Sequence, residues 1–413
     1  MLTTRTEWEP RYAHRAQRMR ASEIRELLKL LDEPGIISFA GGIPDPAMFP
    51  VAEAREAYAA ALADATASQA LQYSISEGYL PLRQWIARHM GERGVPCEPE
   101  NILITSGSQQ ALEFLGRLLL SPGDTALVAA PTYLGALQAF SAYEPRYDEL
   151  RPELGNRTPQ SYRSAAASAG GEVKFAYIVP DFANPTGESL SRAGREHLLD
   201  LAAELDVPII EDSAYAALRF DGEAFPCLQA LDVSRGSSIE GSRVIYCGTF
   251  SKTLSPGLRT GWICAGQALI RRLVLIKQMS DLNSSTINQI VMHRLAQSTF
   301  ASQVPRASEH YRRRRDAMLA ALAAHMPAGV TWTRPGGGLF TWLTLPASID
   351  TAELLQRAVP EARVAFVPGS AFFADGRGHN TLRLSYSLPD EAAIATGIER
   401  LAALIRARLA EAA

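Results

Sequence analysis

No run of roughly eighteen apolar residues, the length a membrane-crossing helix needs, occurs in the 413 residues. An apolar export signal is missing too, since Arg5, Glu7, Glu9, Arg11 and Arg15 occupy the start of the chain. Cysteine is scarce: Cys97, Cys227, Cys247 and Cys264 stand apart with no C-x-x-C pair, which fits reduced thiols in a cytoplasmic protein rather than a disulfide framework. The seven histidines are spread singly without H-E-x-x-H spacing, so a metal site has no support. Charge of one sign is not in excess either, and a formal net charge of −3 gives no footprint for nucleic acid. The one basic run, Arg312 to Arg315, lies between Glu309 and Asp316 and reads as a solvated helix face.

What is present is a chain too long for a single small core, so two domains of unequal size are expected. Ile24, Leu27, Leu28 and Leu31 form one stripe of an amphipathic helix over Ser22–Leu31 that ends before Pro34-Gly35. Irregular backbone follows over Ser38–Pro50, where Gly41 and Gly42 permit close approach of a ligand or a tight turn. From about residue 100, short apolar runs alternate with longer amphipathic stretches, the pattern of βα units around a mainly parallel sheet. Those runs are Ile102–Thr105, Ala126–Ala130, Phe175–Val179, Pro208–Ile210, Val244–Cys247 and Gly261–Ala265. After about residue 305 a long helical stretch, short strands near Thr331 and Phe340–Leu345, and a terminal helix after Glu391 suggest a smaller α+β domain.

The polar residues of interest cluster just past the carboxyl ends of these strands, where open α/β sheets bind ligands. Ser106-Gly-Ser108 runs into a helix, and its free N–H groups with the Ser108 hydroxyl would cradle a phosphate or simply cap the helix. Asn184, before a proline, is held out of the α region with its amide free for a ligand oxygen, or marks a turn. Glu211 and Asp212 can pair with a cation such as a protonated pyridine nitrogen, or cap the next helix. Lys252 offers an amine for an aldehyde cofactor, and Arg259, after a Ser-Pro-Gly turn, offers a planar fork for its phosphate. The faint echo of a nucleotide loop in Ser251-Lys-Thr253 lacks the G-x-x-x-x-G-K-[ST] pattern.

Together these features identify a resemblance to the fold-type I, pyridoxal 5′-phosphate-dependent class I/II aminotransferases, and within them to the 2-aminoadipate and kynurenine aminotransferase group. The resemblance runs from about Arg18 to Leu404. Its most specific parts are Ser106–Leu112, Asn184-Pro-Thr-Gly187, Glu211-Asp212-x-x-Tyr215, Ser251–Arg259 and Asn380-Thr-Leu-Arg-Leu-Ser385. It implies a seven-stranded, mainly parallel sheet between helices in a large domain (51–300), a smaller α+β domain (301–413), and a substrate-contacting segment (1–50) packed with the latter.

By the same resemblance Lys252 holds the cofactor as a Schiff base and shuttles a proton at the substrate Cα. Asp212 keeps the pyridine nitrogen protonated, Asn184 and Tyr215 bond the ring oxygen, and Tyr133 stacks on the ring. Ser108, the amide of Gln109, Thr249, Ser251 and Arg259 hold the phosphate, joined by Tyr73 of a neighbouring subunit in a homodimer with shared sites. Arg383 clamps the substrate carboxylate, Gly42 lies beside the substrate, and Arg25 either meets a distal carboxylate or is a surface charge. Asp181, Ala183, Ser213 and Thr249 depart from the usual pattern, Thr249 keeping its hydroxyl. The expected reaction is ping-pong transfer of an amino group from 2-aminoadipate, an aromatic or a branched aliphatic L-amino acid to a 2-oxo acid such as 2-oxoglutarate. A lyase or decarboxylase on the same fold is the enzymatic alternative. A cofactor-sensing regulator is the other, and it would need an added DNA-binding domain, for which a resemblance starting near residue 18 leaves no room.

Overall fold

The structure, a computed structural model, describes residues 7–18, 35–236 and 238–411. The expected helix over Ser22–Leu31, with Arg25, lies outside the described residues.

After β1 (Ile37–Ser38), seven strands build the large sheet: β2 (Ile102–Thr105), β3 (Thr125–Ala129), β4 (Arg146–Leu150), β5 (Val173–Ile178), β6 (Ile209–Asp212), β7 (Val244–Thr249) and β8 (Gly261–Cys264). Their order is β2-β8-β7-β6-β5-β3-β4, parallel throughout except for β8, which runs against both β2 and β7. Strands β2, β6, β7 and β8 are buried along their whole length. Helices covering both faces of a parallel sheet explain why these strands read as unbroken apolar runs. Strand β4 escaped the sequence reading because Arg-Tyr-Asp-Glu-Leu is an edge sequence, charged rather than apolar.

A second sheet, ordered β12-β13-β10-β9, is antiparallel and built from β9 (Thr331–Trp332), β10 (Phe340–Thr344), β12 (Val367–Pro368) and β13 (Thr381–Ser385). Strand β11 (Val364–Ala365) instead pairs in parallel with β1. Phe39 N–H then donates to Ala365 O, and Ser385 N–H donates to Phe39 O, both at 2.8 Å. The segment leading into Gly41 and Gly42 is therefore held by the last quarter of the chain. The helices Phe300–His325 and Glu391–Glu411 pack against each other on this side.

The run Arg312 to Arg315 corrects the sequence reading. Arg312 is partly exposed and pairs with Glu309 and Asp316, and Arg313 is exposed. Arg314 and Arg315 are buried, on Asp45 and Asp221 at 2.6 Å each. Four consecutive helical residues sweep most of the way round the axis, so they cannot share one solvated face.

Among the described residues no helix is long and apolar enough to cross a membrane, and no group of three metal-ligating side chains gathers. Arg195 is a wholly inaccessible cation, which bonds Asp181 at 2.8 Å and the carbonyls of Pro180, Leu190 and Pro226 at 3.1–3.3 Å. It ties the loop after β5 to the helix that follows. Replacing it by methionine leaves three carbonyls without their donor and Asp181 with only Arg219 of its two arginine partners, so Arg195→Met is expected to lose about 2–3 kcal/mol of stability in equilibrium denaturation. A loss below about 1 kcal/mol would show that these bonds are not needed to hold the loop.

Candidate active site

The carboxyl ends of β2, β5, β6 and β7 meet around a cavity of about 150 Å³. Because β8 is antiparallel, its first residue, Gly261, lies opposite the last residues of β2 and β7, Thr105 and Thr249. The turn before β8 thus returns Arg259 to the same mouth. Of the residues expected to hold a cofactor, Ser108, Gln109, Tyr133, Asn184, Asp212, Tyr215, Thr249, Ser251, Lys252 and Arg259 all line this cavity. Tyr73 does not; it is 79% exposed in this chain.

Glu211 and Asp212 continue β6 rather than following it, and alternation along the strand sends them opposite ways. Glu211 takes the helix-capping role, accepting the Leu228 and Gln229 N–H groups at 2.9 and 3.0 Å. Asp212 faces the cavity. Its Oδ2 accepts the Tyr177 hydroxyl at 2.8 Å, and its Oδ1 is buried without a hydrogen-bond partner. Burial pushes the Asp212 carboxyl up to about 6, against the pull of Tyr177 and Lys252. An acceptor in that state is completed by an N–H or a cation delivered with a ligand.

Lys252 shares the cavity with Asp212, and its Nζ donates to Gly42 O at 3.0 Å. Burial first, then the nearby positive charges of Arg383 and Arg259, push its amine down to about 8, with Asp212 opposing. A substantial share of the amine is therefore neutral near physiological pH, the form that attacks a carbonyl carbon.

At the phosphate end, Gly107 adopts φ +82°. A Cβ there would come within 2.5 Å of Arg259 Nη2, so only glycine lets the guanidinium lie against the turn that starts the helix Ser108–Leu119. Thr249 Oγ1 donates to Ser251 Oγ at 2.9 Å and accepts the Ser251 N–H at 3.1 Å, fixing both hydroxyls at the cavity wall. The Gln109 side chain turns away to Gly135 O at 2.7 Å, which leaves its backbone N–H as its available donor. Guanidinium, hydroxyls and helix-start N–H groups form a donor set suited to a phosphate dianion.

The opposite end is built around Arg383, buried with its guanidinium 4.3 Å from the Phe340 ring centre and 5.0 Å from that of Phe372. One terminal nitrogen donates to Asn184 Oδ1 at 2.8 Å and the other to Ala40 O, while its Nε has no partner. Asn184 is thereby oriented by its oxygen, and its amide N–H groups remain for Tyr215 or a ligand. Gly42 backs onto the same Phe340 ring, where a Cβ would come within 2.4 Å. The sequence reading did not anticipate Tyr177, Phe340, Phe372 or the Ala40 carbonyl. Tyr177 carried a usable signal, since it lies in a predicted strand beside the one bearing Asp212.

These residues fit pyridoxal 5′-phosphate: an amine for its aldehyde, a buried carboxylate oxygen lacking a partner for its ring nitrogen, and a cationic cradle for its phosphate. A larger cleft of about 620 Å³, bordered by Arg93, Phe225 and Pro226, lacks such a combination, and its Asp181 and Arg219 pair with each other at 3.0 Å.

Comparison with known proteins agrees with this geometry. The family model for aminotransferase class I and II matches residues 35–401. The aromatic-amino-acid aminotransferase 1 of Thermococcus litoralis is 42% identical over 97% of this chain and 95% of its own length. The 2-aminoadipate transaminase of Thermus thermophilus is 42% identical over 98% of each. A crystal structure of the α-aminoadipate aminotransferase LysN from Thermus thermophilus, complexed with N-(5′-phosphopyridoxyl)-L-leucine, superposes with a TM-score of 0.88 at 40% identity, covering 98% of this chain and all of that one.

The depressed amine can be tested without cofactor. Labelling of Lys252 by acetic anhydride, followed by mass spectrometry, is expected to rise through a midpoint at about 8 as pH increases, because the proton is lost there and the neutral amine reacts. A midpoint near the ordinary lysine value of about 10.4 would mean that burial and the two arginines do not act on it.

Proposed function

The chain belongs to the class I and II aminotransferase family, and on that premise we propose that it moves the amino group of an L-amino acid to 2-oxoglutarate by a ping-pong exchange centred on Lys252. The observation that carries the reading is one cavity lined by both a lysine amine and a buried carboxylate with one oxygen unpartnered. Bound pyridoxal 5′-phosphate supplies an aldehyde for covalent attachment and a cationic ring that withdraws electrons from the substrate Cα.

The residues divide the work. Asp212, steadied by Tyr177, would accept a hydrogen bond from the protonated ring nitrogen on its free oxygen. Arg259, Ser108, Thr249, Ser251 and the Gln109 amide take the phosphate, while Tyr133 covers a ring face and Asn184 and Tyr215 take the ring oxygen. Arg383 holds the substrate carboxylate in the two-pronged geometry that lysine cannot reproduce, beside Gly42. Lys252 would carry the proton from the substrate Cα, a role that works best with an amine titrating near the working pH.

The donor is 2-aminoadipate, an aromatic or a branched aliphatic amino acid. Support comes from two relatives, one named for aromatic amino acids and one for 2-aminoadipate, and from the leucine adduct in the Thermus thermophilus structure. We assign Arg25 to the distal carboxylate of a dicarboxylic donor. A homodimer with Tyr73 reaching the neighbouring phosphate belongs to the same reading. Its support is the exposed apolar group Leu71, Tyr73 and Ile75, set beside the turn bearing exposed Leu282 by the bond from Thr286 Oγ1 to Gln72 O. Residence in the cytoplasm is proposed on the four free thiols.

The deciding experiment follows the visible absorbance of the cofactor-loaded protein as 2-aminoadipate, kynurenine, leucine and glutamate are added in turn. Conversion of the cofactor to its amine form, reversed by 2-oxoglutarate, is expected for the true donors. A spectrum unmoved by every amino acid would overturn the reading. Lys252→Ala is expected to abolish turnover with the fold retained, and substantial turnover in that variant would remove Lys252 from the chemistry. Arg25→Gln is expected to raise KM for 2-aminoadipate far more than for kynurenine, whereas equal effects would take Arg25 out of the distal pocket.

A further inference from the structure

The segment Ala40–Asp45 has almost no regular structure, yet it carries two contacts to the site. Ala40 O accepts from Arg383, and Gly42 O accepts from Lys252 Nζ. Glycines and a proline at Gly41, Gly42 and Pro44 do not hold such a course by themselves. An anchor to the rest of the chain must fix it.

That anchor is Asp45, buried at the segment's end. Its Oδ2 takes Arg314 Nη2 at 2.6 Å and lies 3.0 Å from His310 Nε2. Its Oδ1 takes the Ala47 N–H at 2.9 Å, and its own N–H donates to the Tyr311 hydroxyl at 3.0 Å. Arg314, buried too, also donates to Ser387 O and Leu388 O. The Ser387 hydroxyl reaches back to Ile43 O at 2.7 Å. The ring closes: helix Phe300–His325, the turn after β13 and the segment ending at Asp45 are joined through one ion pair.

We propose that Asp45 and Arg314 are positioning residues for transamination, whose ion pair sets the Gly42 wall against Lys252 and Arg383 and thereby the fit of the substrate α-carboxylate. The inference rests on the aminotransferase reading and extends it to residues that do not touch the cavity. The strand-end groups that hold the cofactor are not part of this ring, so the two functions separate. Loss of the pair lets the wall shift, loosening the end of the substrate that every amino acid shares.

The test measures KM and kcat for 2-aminoadipate and kynurenine, the affinity of cofactor-free protein for pyridoxal 5′-phosphate, and the unfolding midpoint, in Asp45→Asn and Arg314→Lys. Expected is a KM raised about tenfold for both donors alike, with kcat within about threefold and cofactor affinity within about twofold of the unaltered protein. Arg314→Lys, which keeps the charge but not the fork that reaches Asp45 and Ser387 together, is expected to fall between. A folded variant with unchanged KM overturns the proposal. So does a parallel loss of KM, kcat and cofactor affinity, the mark of general loosening. Should Asp45→Asn not fold, Arg314→Lys decides by the same readings, and should neither fold, His310→Gln, which leaves the ion pair and removes one contact, decides by whether KM rises about twofold or not at all. Failure of the unaltered protein to transaminate any donor would instead strike the aminotransferase reading itself, before any variant is compared.

Discussion

A carboxylate placed where water cannot reach it demands a partner, and Asp212 is such a group: one oxygen is held by Tyr177 and the other faces the cavity with none. Burying an unpaired anion is expensive enough that proteins pair it, protonate it or reserve it for a ligand. Here the first course is only half taken, and the carboxyl lies raised to about 6. A cation that shares the cavity is Lys252, itself lowered to about 8 by burial and by Arg383 and Arg259. Each group is uneasy in the same cavity, and a ligand that brings a protonated ring nitrogen and an aldehyde relieves both.

The sheet makes this arrangement possible. In a wholly parallel sheet, the turn after β7 would lead away through a helix. With β8 reversed, Arg259 and Lys252 lie on one short excursion between the end of β7 and the start of β8, facing the helix start after β2. Gly107 and Gly261 keep that junction close, since a Cβ on either would meet the opposing turn. The other end comes from elsewhere: Arg383 from the second sheet, flattened between Phe340 and Phe372, and the Gly42 wall from the segment that β1 fastens to β11 and Asp45 fastens to the helix Phe300–His325. The proposed cofactor and substrate contacts thus come from different parts of the chain.

Much of this was readable in the sequence because the large sheet is buried on both faces. Strand β2 is observed at Ile102–Thr105 as expected, and the residues singled out after four strands converge on one cavity. What was not readable depended on three-dimensional parity and partners. By residue type alone Asp212 and Glu211 looked equivalent; the resemblance singled out Asp212, and the alternation of β6 gives the physical reason, sending one to the cavity and the other to the helix Leu228–Ser234. Arg314 looked like one member of a solvated run, because its partner Asp45 is 269 residues away in the sequence. Edge strand β4 has no apolar signal to find. Tyr73 shows the converse, a residue identified by resemblance that this chain alone leaves in solvent.

On the proposed assignment, the free oxygen of Asp212 is reserved for a protonated ring nitrogen. Nitrogen-15 NMR of the protein loaded with ring-labelled pyridoxal 5′-phosphate measures that proton directly. Expected is a protonated-pyridine shift at neutral pH that moves to the neutral-pyridine position in Asp212→Ala. A neutral nitrogen in the unaltered protein, or a signal indifferent to the loss of Asp212, would contradict it.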